Sequence, residues 1–292
     1  MAEVLQKKHW ERALPYYLIL PVVVLIVGLV GYPFGNVVWL SLNEKFIGGT
    51  AKFIGLGNYI DLFRTAEFIN SVKISFVYTS SNLALQFGLG LVLALALNQK
   101  WKTQNLLQAL IIIPWVLPPI VTALGWLWMY NDLFGVLNFI LTRLKIIPYG
   151  VSWLGDPKLA LFSVVVAHAW LNTPFVAVSL FAGLQTVPQS QYDAASIDGG
   201  NRMQKLIHIS LPHIKDLIMI LVFIQTIQIL TTFQYVYILT QGGPAKATNL
   251  FSMYTYTMAF RVGNLGRGIA ISLAVFPLLL VLMVVLLRVR KE

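Results

Sequence analysis

The sequence contains no cysteine, which excludes disulfide frameworks, thiolate zinc sites and thiol catalysis. Charge is scarce as well: 11% of the 292 residues are Asp, Glu, Lys or Arg, 58% are hydrophobic, and mean hydropathy is +0.75. A soluble domain carries roughly 25% charged residues, so this chain cannot cover itself with a solvated surface and reads as a polytopic membrane protein. Acidic residues are the scarcest charges, 11 in all, and none lies well inside an apolar run; Lys73, Asp216 and Arg267 stand at edges. Ion-coupled carriers bury carboxylates or His chains on the ion path, so an obvious means of using an ion gradient is missing. No G-x-x-x-x-G-K-[ST] phosphate loop is present, and neither a Ser-His-Asp site nor a metal cluster is suggested. The chain is therefore expected to be no enzyme, and any transport to be driven by another polypeptide.

What is present is a set of long apolar runs. A bilayer-crossing helix needs about 20 apolar residues, and six runs qualify: about 14–41, 70–97, 106–130, 158–184, 216–240 and 265–287. Pro33, Pro114, Pro118, Pro119, Pro174 and Pro277 lie within them and predict kinks. The first run is too long for a signal-peptide core and no small-residue cleavage site follows it, so it is expected to remain as a span. The formal charge of +10 would suggest nucleic acid in a soluble protein. Here the basic residues gather at the ends of the apolar runs. Lys7, Lys8, Arg12, Lys100, Lys102, Arg202, Lys205, Lys215, Arg288, Arg290 and Lys291 fall on one side of the membrane, which predicts cytoplasmic N- and C-termini and a cytoplasmic 185–215. The expectation is one transmembrane domain over 1–292.

Two features stand out against the apolar background. Gln225, Gln228, Thr232 and Tyr235 are spaced +3, +4, +3 and share one face of a continuous helix. In lipid such a stripe faces protein or water, so it reads either as interhelical hydrogen bonding or as a polar cavity suited to a hydroxyl-rich solute. His168 is the only deep ionisable side chain and reads first as an interhelical hydrogen-bonding group. Trp115, Trp126, Trp128 and Trp170 can offer flat faces to sugar rings, or belong to the interfacial aromatic belt.

The second feature is "YDAASIDGGNRMQKLIHISLPH", residues 192–213. Residues 189–198 predict a short helix, Gly199 and Gly200 a stop or sharp bend, and Asn201 the cap of a second helix. Met203, Leu206, Ile207 and Ser210 then form a narrow apolar stripe. A helix this short is not stable alone; it rests on the membrane interface, on the protein's own helix ends, or in a partner groove.

The same segment resembles the EAA loop of binding-protein-dependent ABC importer permeases, approximately E-A-A-x-x-D-G-A followed by I-x-L-P. This chain reads D-A-A-S-I-D-G-G at 193–200 and I-S-L-P at 209–212. It departs from the pattern with Asp193 for Glu, Gly200 for Ala, and Leu206 where an aromatic is common. "FIGLGNY" (53–59), "IIIPWVLPP" (111–119), "AWLNTPF" (169–175), "GLQTVPQSQYDAA" (183–195) and "LTQGGPAKAT" (239–248) are similar to the sugar-permease branch, first-permease type. The resemblance implies an all-α, six-span type I importer permease in a bacterial or archaeal cytoplasmic membrane. It implies a second homologous permease, two ATP-binding cassette subunits that hold ATP and Mg, an extracytoplasmic solute-binding protein, and a sugar, a di- or oligosaccharide, as the solute. No cofactor is expected on this chain and no nucleic acid partner. Asp193, Ala194, Ala195, Asp198, Gly199, Met203, Leu206 and Ile207 are implied to couple to the ATPases. Trp115, Pro119, Leu171, Asn172, Phe175, Gln228 and Thr232 align with solute contacts of maltose-type relatives; Pro119 and Leu171 bring no hydroxyl-binding side chain, which leaves Trp115, Asn172, Phe175, Gln228 and Thr232 as the candidate solute contacts. Glycerol 3-phosphate or another small polar solute, and a stand-alone secondary transporter, are the alternatives.

Overall fold

A computed structural model describes residues 2–99 and 103–289. Lys100, Lys102, Arg290 and Lys291, used above for orientation, lie outside the described residues. All six apolar runs are helical, as the bilayer requires of backbone that has no water to bond. In chain order the helices are α1 (Ala2–Ile26), α2 (Tyr32–Ser41), α3 (Gly57–Arg64), α4 (Ala66–Leu97), α5 (Gln104–Val116), α6 (Pro119–Met129), α7 (Val136–Arg143), α8 (Pro157–Leu184), α9 (Gln189–Ile197), α10 (Arg202–Lys205), α11 (Leu211–His213), α12 (Lys215–Thr231), α13 (Gln234–Leu239), α14 (Phe251–Tyr256), α15 (Leu265–Ala274) and α16 (Phe276–Val289). Among the described residues, four stretches are long and apolar enough to cross a membrane: Leu14–Ser41, Ala66–Leu97, Pro157–Leu184 and Lys215–Leu239.

Four of the six runs are interrupted, each for a local reason. The third, expected as a single span, is the pair α5 and α6 bent by 92°. Leu117 precedes Pro118, Pro118 precedes Pro119, and a residue before proline is pushed out of the α region. Their ψ angles are accordingly 141° and 135°. In the first run Pro33 removes the amide that would bond Leu29, and a π-helical turn, Val27–Gly31, takes up the slack. In the sixth, the break before Phe276 falls two residues ahead of Pro277. The fifth breaks between α12 and α13 without proline or glycine. There the Thr232 amide turns to the Ile229 carbonyl at 3.2 Å and its Oγ1 donates to the Gln228 carbonyl at 2.8 Å, while Thr231 Oγ1 donates back to the Ile227 carbonyl at 2.9 Å.

The chain forms two compact units. One comprises Met1–Arg64 and Thr257–Ala274. In it α15 packs on α2 and α3, and a two-residue hairpin, Asn43–Glu44 against Lys52–Phe53, links α2 to α3. Asn58 is buried and donates to the carbonyls of Ser41 at 2.8 Å and Asn43 at 2.9 Å, while Tyr59 donates to Ser41 Oγ at 2.8 Å. The "FIGLGNY" stretch thus caps the end of α2. The face of α3 opposite Asn58 and Leu62 leaves Ile60 and Phe63 exposed.

The other unit comprises Thr65–Tyr256 and Val275–Glu292. Its centre is the long contact between α4 and α8. They approach closely at Gly90, where a Cβ would lie 2.8 Å from Val176 Cγ1. Tyr78, Val164, Leu171, Ile229, Tyr235 and Met253 belong to one buried cluster of this unit. Ala94, Val176, Leu180, Leu184, Ile214 and Leu221 belong to a second.

Candidate functional site

Two regions of the second unit carry chemistry. The first is the polar connection between α8 and α12. Helix α9 ends at the Gly-Gly pair. Gly199 adopts φ +78°, a left-handed conformation that side chains other than glycine rarely take. Gly200 N–H donates to the Ala195 carbonyl at 2.7 Å and closes the turn. Asn201 then starts α10 with a reciprocal capping box: Gln204 N–H donates to Asn201 Oδ1 at 2.9 Å, and Asn201 N–H to Gln204 Oε1 at 2.8 Å. The N-x-x-Q spacing was the readable signal for this box.

The two arms are braced side chain to side chain. The hydroxyls of Tyr192 and Ser210 meet at 2.8 Å, and Lys205 Nζ donates to Ser196 Oγ at 2.5 Å. Ser210 is buried in this contact instead of continuing the apolar stripe, because a π-helical turn over Leu206–Ser210 inserts an extra residue into the register. The apolar groups left in the open are Ile197 (87% exposed), Met203 (61%) and Ile207 (50%). Leu206 is half-buried, turned partly toward the hairpin. Asp193, Ala194, Asp198 and Gly199 are exposed and Ala195 is half-buried. Asp198, Gly199, Gln204, Lys205 and His208 line a shallow groove of about 340 Å³ on this hairpin. Tyr192 and Ser210 escaped the sequence reading because no periodicity links residues across a turn.

The second region is the centre of the unit, where α4, α8 and the α12–α13 break meet. His168 on α8 is buried. Its Nδ1 lies 3.0 Å from Asn82 Oδ1 on α4 and its Nε2 lies 3.2 Å from Thr232 Oγ1. The ring stacks on Tyr78 at 5.8 Å and meets the edge of Tyr235 at 5.2 Å. Tyr235 and Thr122 join hydroxyls at 2.6 Å. The break therefore divides the four-residue stripe predicted for one continuous face. Gln225 is buried and donates to Gln86 Oε1 at 2.7 Å, Tyr235 is buried on α13, Thr232 is half-buried and Gln228 is exposed. Gln225 and Tyr235 follow the interhelical reading; Gln228 and Thr232 stay partly open.

On α8, Asn172 is half-buried and donates to the His168 carbonyl at 3.0 Å. Phe175, three residues on, stacks on Trp115 at 5.6 Å. Trp115 is itself 49% exposed beside the α5–α6 bend. His168, Asn172 and Phe175 follow i, i+4, i+7 and so lie along one side of α8. The structure thus joins Thr232 to His168 and Trp115 to Phe175, whereas Leu171 is packed in the core. Trp126 and Trp170 meet edge to face at 6.0 Å and line an apolar cavity of about 450 Å³ with Leu89, Leu93, Ile111 and Pro114. Asn82 and Gln86 went unremarked in the sequence. Tyr78, Asn82 and Gln86 recur every fourth residue and so share one face of α4, and that spacing was the signal.

Comparison with known proteins adds four findings. The family profile of binding-protein-dependent transport system inner membrane components matches residues 86–291. The chain is 36% identical over 285 residues to the trehalose/maltose transport system permease protein MalF of Thermococcus litoralis, covering 97% of this chain and 96% of that protein. It is 30% identical over 268 residues to the trehalose transport system permease protein SugA of Mycobacterium tuberculosis, covering 91% and 85%. In fold it is similar to a chain of a bacterial alginate ABC transporter crystallised with an alginate pentasaccharide-bound periplasmic protein. The TM-score is 0.82, with 21% identity, covering 96% of this chain and 94% of that one.

Proposed function

We propose, from the premise that this chain belongs to the family of binding-protein-dependent transport system inner membrane components, that it is one half of the membrane pathway of an ATP-driven importer for a disaccharide of the trehalose or maltose class. As a permease subunit it is not itself an enzyme. The observation that carries the coupling part of the reading is the 189–213 hairpin. It is internally braced by Tyr192–Ser210 and Lys205–Ser196, yet presents Ile197, Met203 and Ile207 outward among charged residues. Apolar groups on so polar an element suit a groove in a soluble partner.

In this reading two ATP-binding cassette subunits, which hold ATP and Mg, receive the hairpin in their clefts. A second homologous permease completes the pathway, and an extracytoplasmic binding protein delivers the sugar. ATP draws the two cassettes together, carries the hairpin with them and rocks the spans from inward-open to outward-open. The shift is limited to what ATP gains by binding the closed cassette pair more tightly than the open one. Both termini and the hairpin are cytoplasmic. The sugar is met by Trp115 and Phe175 with their faces and by Asn172, Gln228 and Thr232 with polar groups. Support for the sugar comes from the names of the relatives and from this mixture of stacked aromatics and neutral hydrogen-bonding groups.

Because the chain has no cysteine, Met203→Cys or Ile207→Cys gives a single thiol without background. In the assembled complex each is expected to cross-link to a cysteine placed in the cassette cleft, with a yield that changes on adding ATP. Absence of a cross-link at every scanned position from 193 to 210 sinks the docking claim. For the solute site, Gln228→Ala and Thr232→Ala are expected to raise KM for uptake while the complex still assembles; unchanged kinetics make these residues structural.

A further inference from the structure

Three elements converge on one imidazole, and the hydrogen-bond inventory fixes what it does. Asn82 donates its amide N–H to the Tyr78 carbonyl at 2.9 Å, which leaves its Oδ1 facing His168 Nδ1 at 3.0 Å. A carbonyl oxygen only accepts, so Nδ1 carries the proton, and the neutral ring then presents a bare Nε2 toward Thr232. Thr232 has one hydroxyl proton and two acceptors within reach, the Gln228 carbonyl at 2.8 Å and His168 Nε2 at 3.2 Å. Given to Nε2, the proton satisfies a buried nitrogen that would otherwise face an oxygen lone pair; given to the Gln228 carbonyl, it is likewise committed inside the protein. Only oxygen lone pairs remain for anything outside.

We propose that His168 is a positioning residue of the solute site: held by Asn82, it orients the Thr232 hydroxyl and the α12–α13 break so that Thr232 accepts a hydrogen bond from a sugar hydroxyl and does not donate one. The proposal rests on the reading of Thr232 as a solute contact. The break needs such support. Thr232 ends α12 in extended conformation, with ψ 127°, and its carbonyl is taken by Ser252 Oγ at 2.6 Å. Ser252 thus holds the break on one side and His168 on the other. The ring is buried and clamped between Tyr78 and Tyr235, so it acts on solute through Thr232 and not by contact.

The test has two arms. In the assembled complex with ¹⁵N-labelled histidine, the resonances lost in His168→Gln are those of His168. Expected are a protonated Nδ1 and an unprotonated Nε2; a protonated Nε2 overturns the proposal. In proteoliposomes taking up radiolabelled trehalose, Thr232→Val and His168→Phe are each expected to raise KM about tenfold, the scale of one lost hydrogen bond. The loss falls on KM and not on Vmax. The double variant is expected to lose about tenfold as well, not a hundredfold, because both changes remove the same interaction. Additive losses overturn it. His168→Gln, which restores a polar atom facing Thr232, recovers most of the loss. Should His168→Phe fail to assemble, Asn82→Leu frees the ring without removing it and carries the same KM expectation. If Thr232→Val leaves KM unchanged, the solute reading fails and the proposal with it. If Thr232→Val raises KM while His168→Phe and Asn82→Leu do not, the positioning role alone falls.

Discussion

At the level of single side chains, amides bind the helices of the second unit together where lipid offers no competitor. Gln225 Nε2 donates to Gln86 Oε1 at 2.7 Å, and both residues are buried. The pair makes one bond where two are possible: Gln86 Nε2 and Gln225 Oε1 have no partner in the structure. Such a pair is costly to halve and cheap to remove. Replacing one member strands a buried amide, at about 1–3 kcal/mol. Gln86→Leu or Gln225→Leu alone is therefore expected to lower the thermal midpoint of the purified complex, and the double replacement to recover most of the loss. The check is a fluorescence-detected melting curve for the four variants. If the double variant melts below both singles, the amides contribute more than mutual satisfaction. Gly90 sets a complementary limit. Its absent Cβ would lie 2.8 Å from Val176 Cγ1, so Gly90→Val forces α4 from α8 by overpacking that costs about 1–3 kcal/mol. Loss of assembled complex is the expected readout.

Among the elements, the hairpin over 189–213 shows how local chemistry builds a braced segment with an apolar outer surface. Its turn tolerates little. Gly199→Ala places a side chain at φ +78° with open space around it, so the cost is backbone strain of about 1–2 kcal/mol. Gly200→Ala drives a Cβ to 2.8 Å from the Ala195 carbonyl, and the turn itself must shift. Both variants are expected to assemble normally and to lose sugar-stimulated ATPase activity, Gly200→Ala more than Gly199→Ala. Equal stimulation in all three proteins would mean that the turn does not transmit. Much of this element was legible in sequence: α9, the glycine turn and the Asn201 cap all stand where propensity and capping rules put them. The six apolar runs were equally legible, because in lipid a helix is the only economical answer to 20 apolar residues. What escaped was register. Continuous 3.6-residue periodicity put Ser210 on an apolar stripe and Gln225, Gln228, Thr232 and Tyr235 on one face. The π-helical turn over Leu206–Ser210 and the break after Thr231 each shift that count. Pro212 follows the π turn by two residues, as Pro33 follows Val27–Gly31, but a proline alone does not say how far the register moves; the break after Thr231 carries neither proline nor glycine. The 92° bend between α5 and α6 was signalled by Pro118 and Pro119, but its size was not.

For the molecule as a whole, the decisive question is the source of energy. A secondary transporter stores it as a proton or ion bound to a titratable group within the membrane. Here every aspartate and glutamate lies outside the apolar runs or at their ends, with Glu67 in the first turn of α4, Asp156 capping α8 and Asp216 in the first turn of α12. Glu67 is paired with Lys246. His168, the one buried histidine among the described residues, lies within hydrogen-bonding distance of Asn82 and Thr232 through its two nitrogens. An ion pathway would have no carboxylate on which to rest. Two measurements on vesicles follow. With ATP clamped inside and all partners present, collapsing the proton and sodium gradients with ionophores is expected to leave the initial rate of trehalose uptake within about twofold, since an ion-coupled carrier owes its driving force to the zFΔψ and concentration terms that ionophores abolish. Vesicles holding the two permeases without the cassettes are expected to take up nothing above leak, whatever gradient is imposed. Uptake that survives removal of the cassettes and collapses with the gradient would identify a secondary transporter, and the hairpin would then need another role. The contrast is sharp because the role proposed for the hairpin's exposed Ile197, Met203 and Ile207 requires a partner. In the importer proposed above they are the surface through which the movement of a soluble motor would reach the spans.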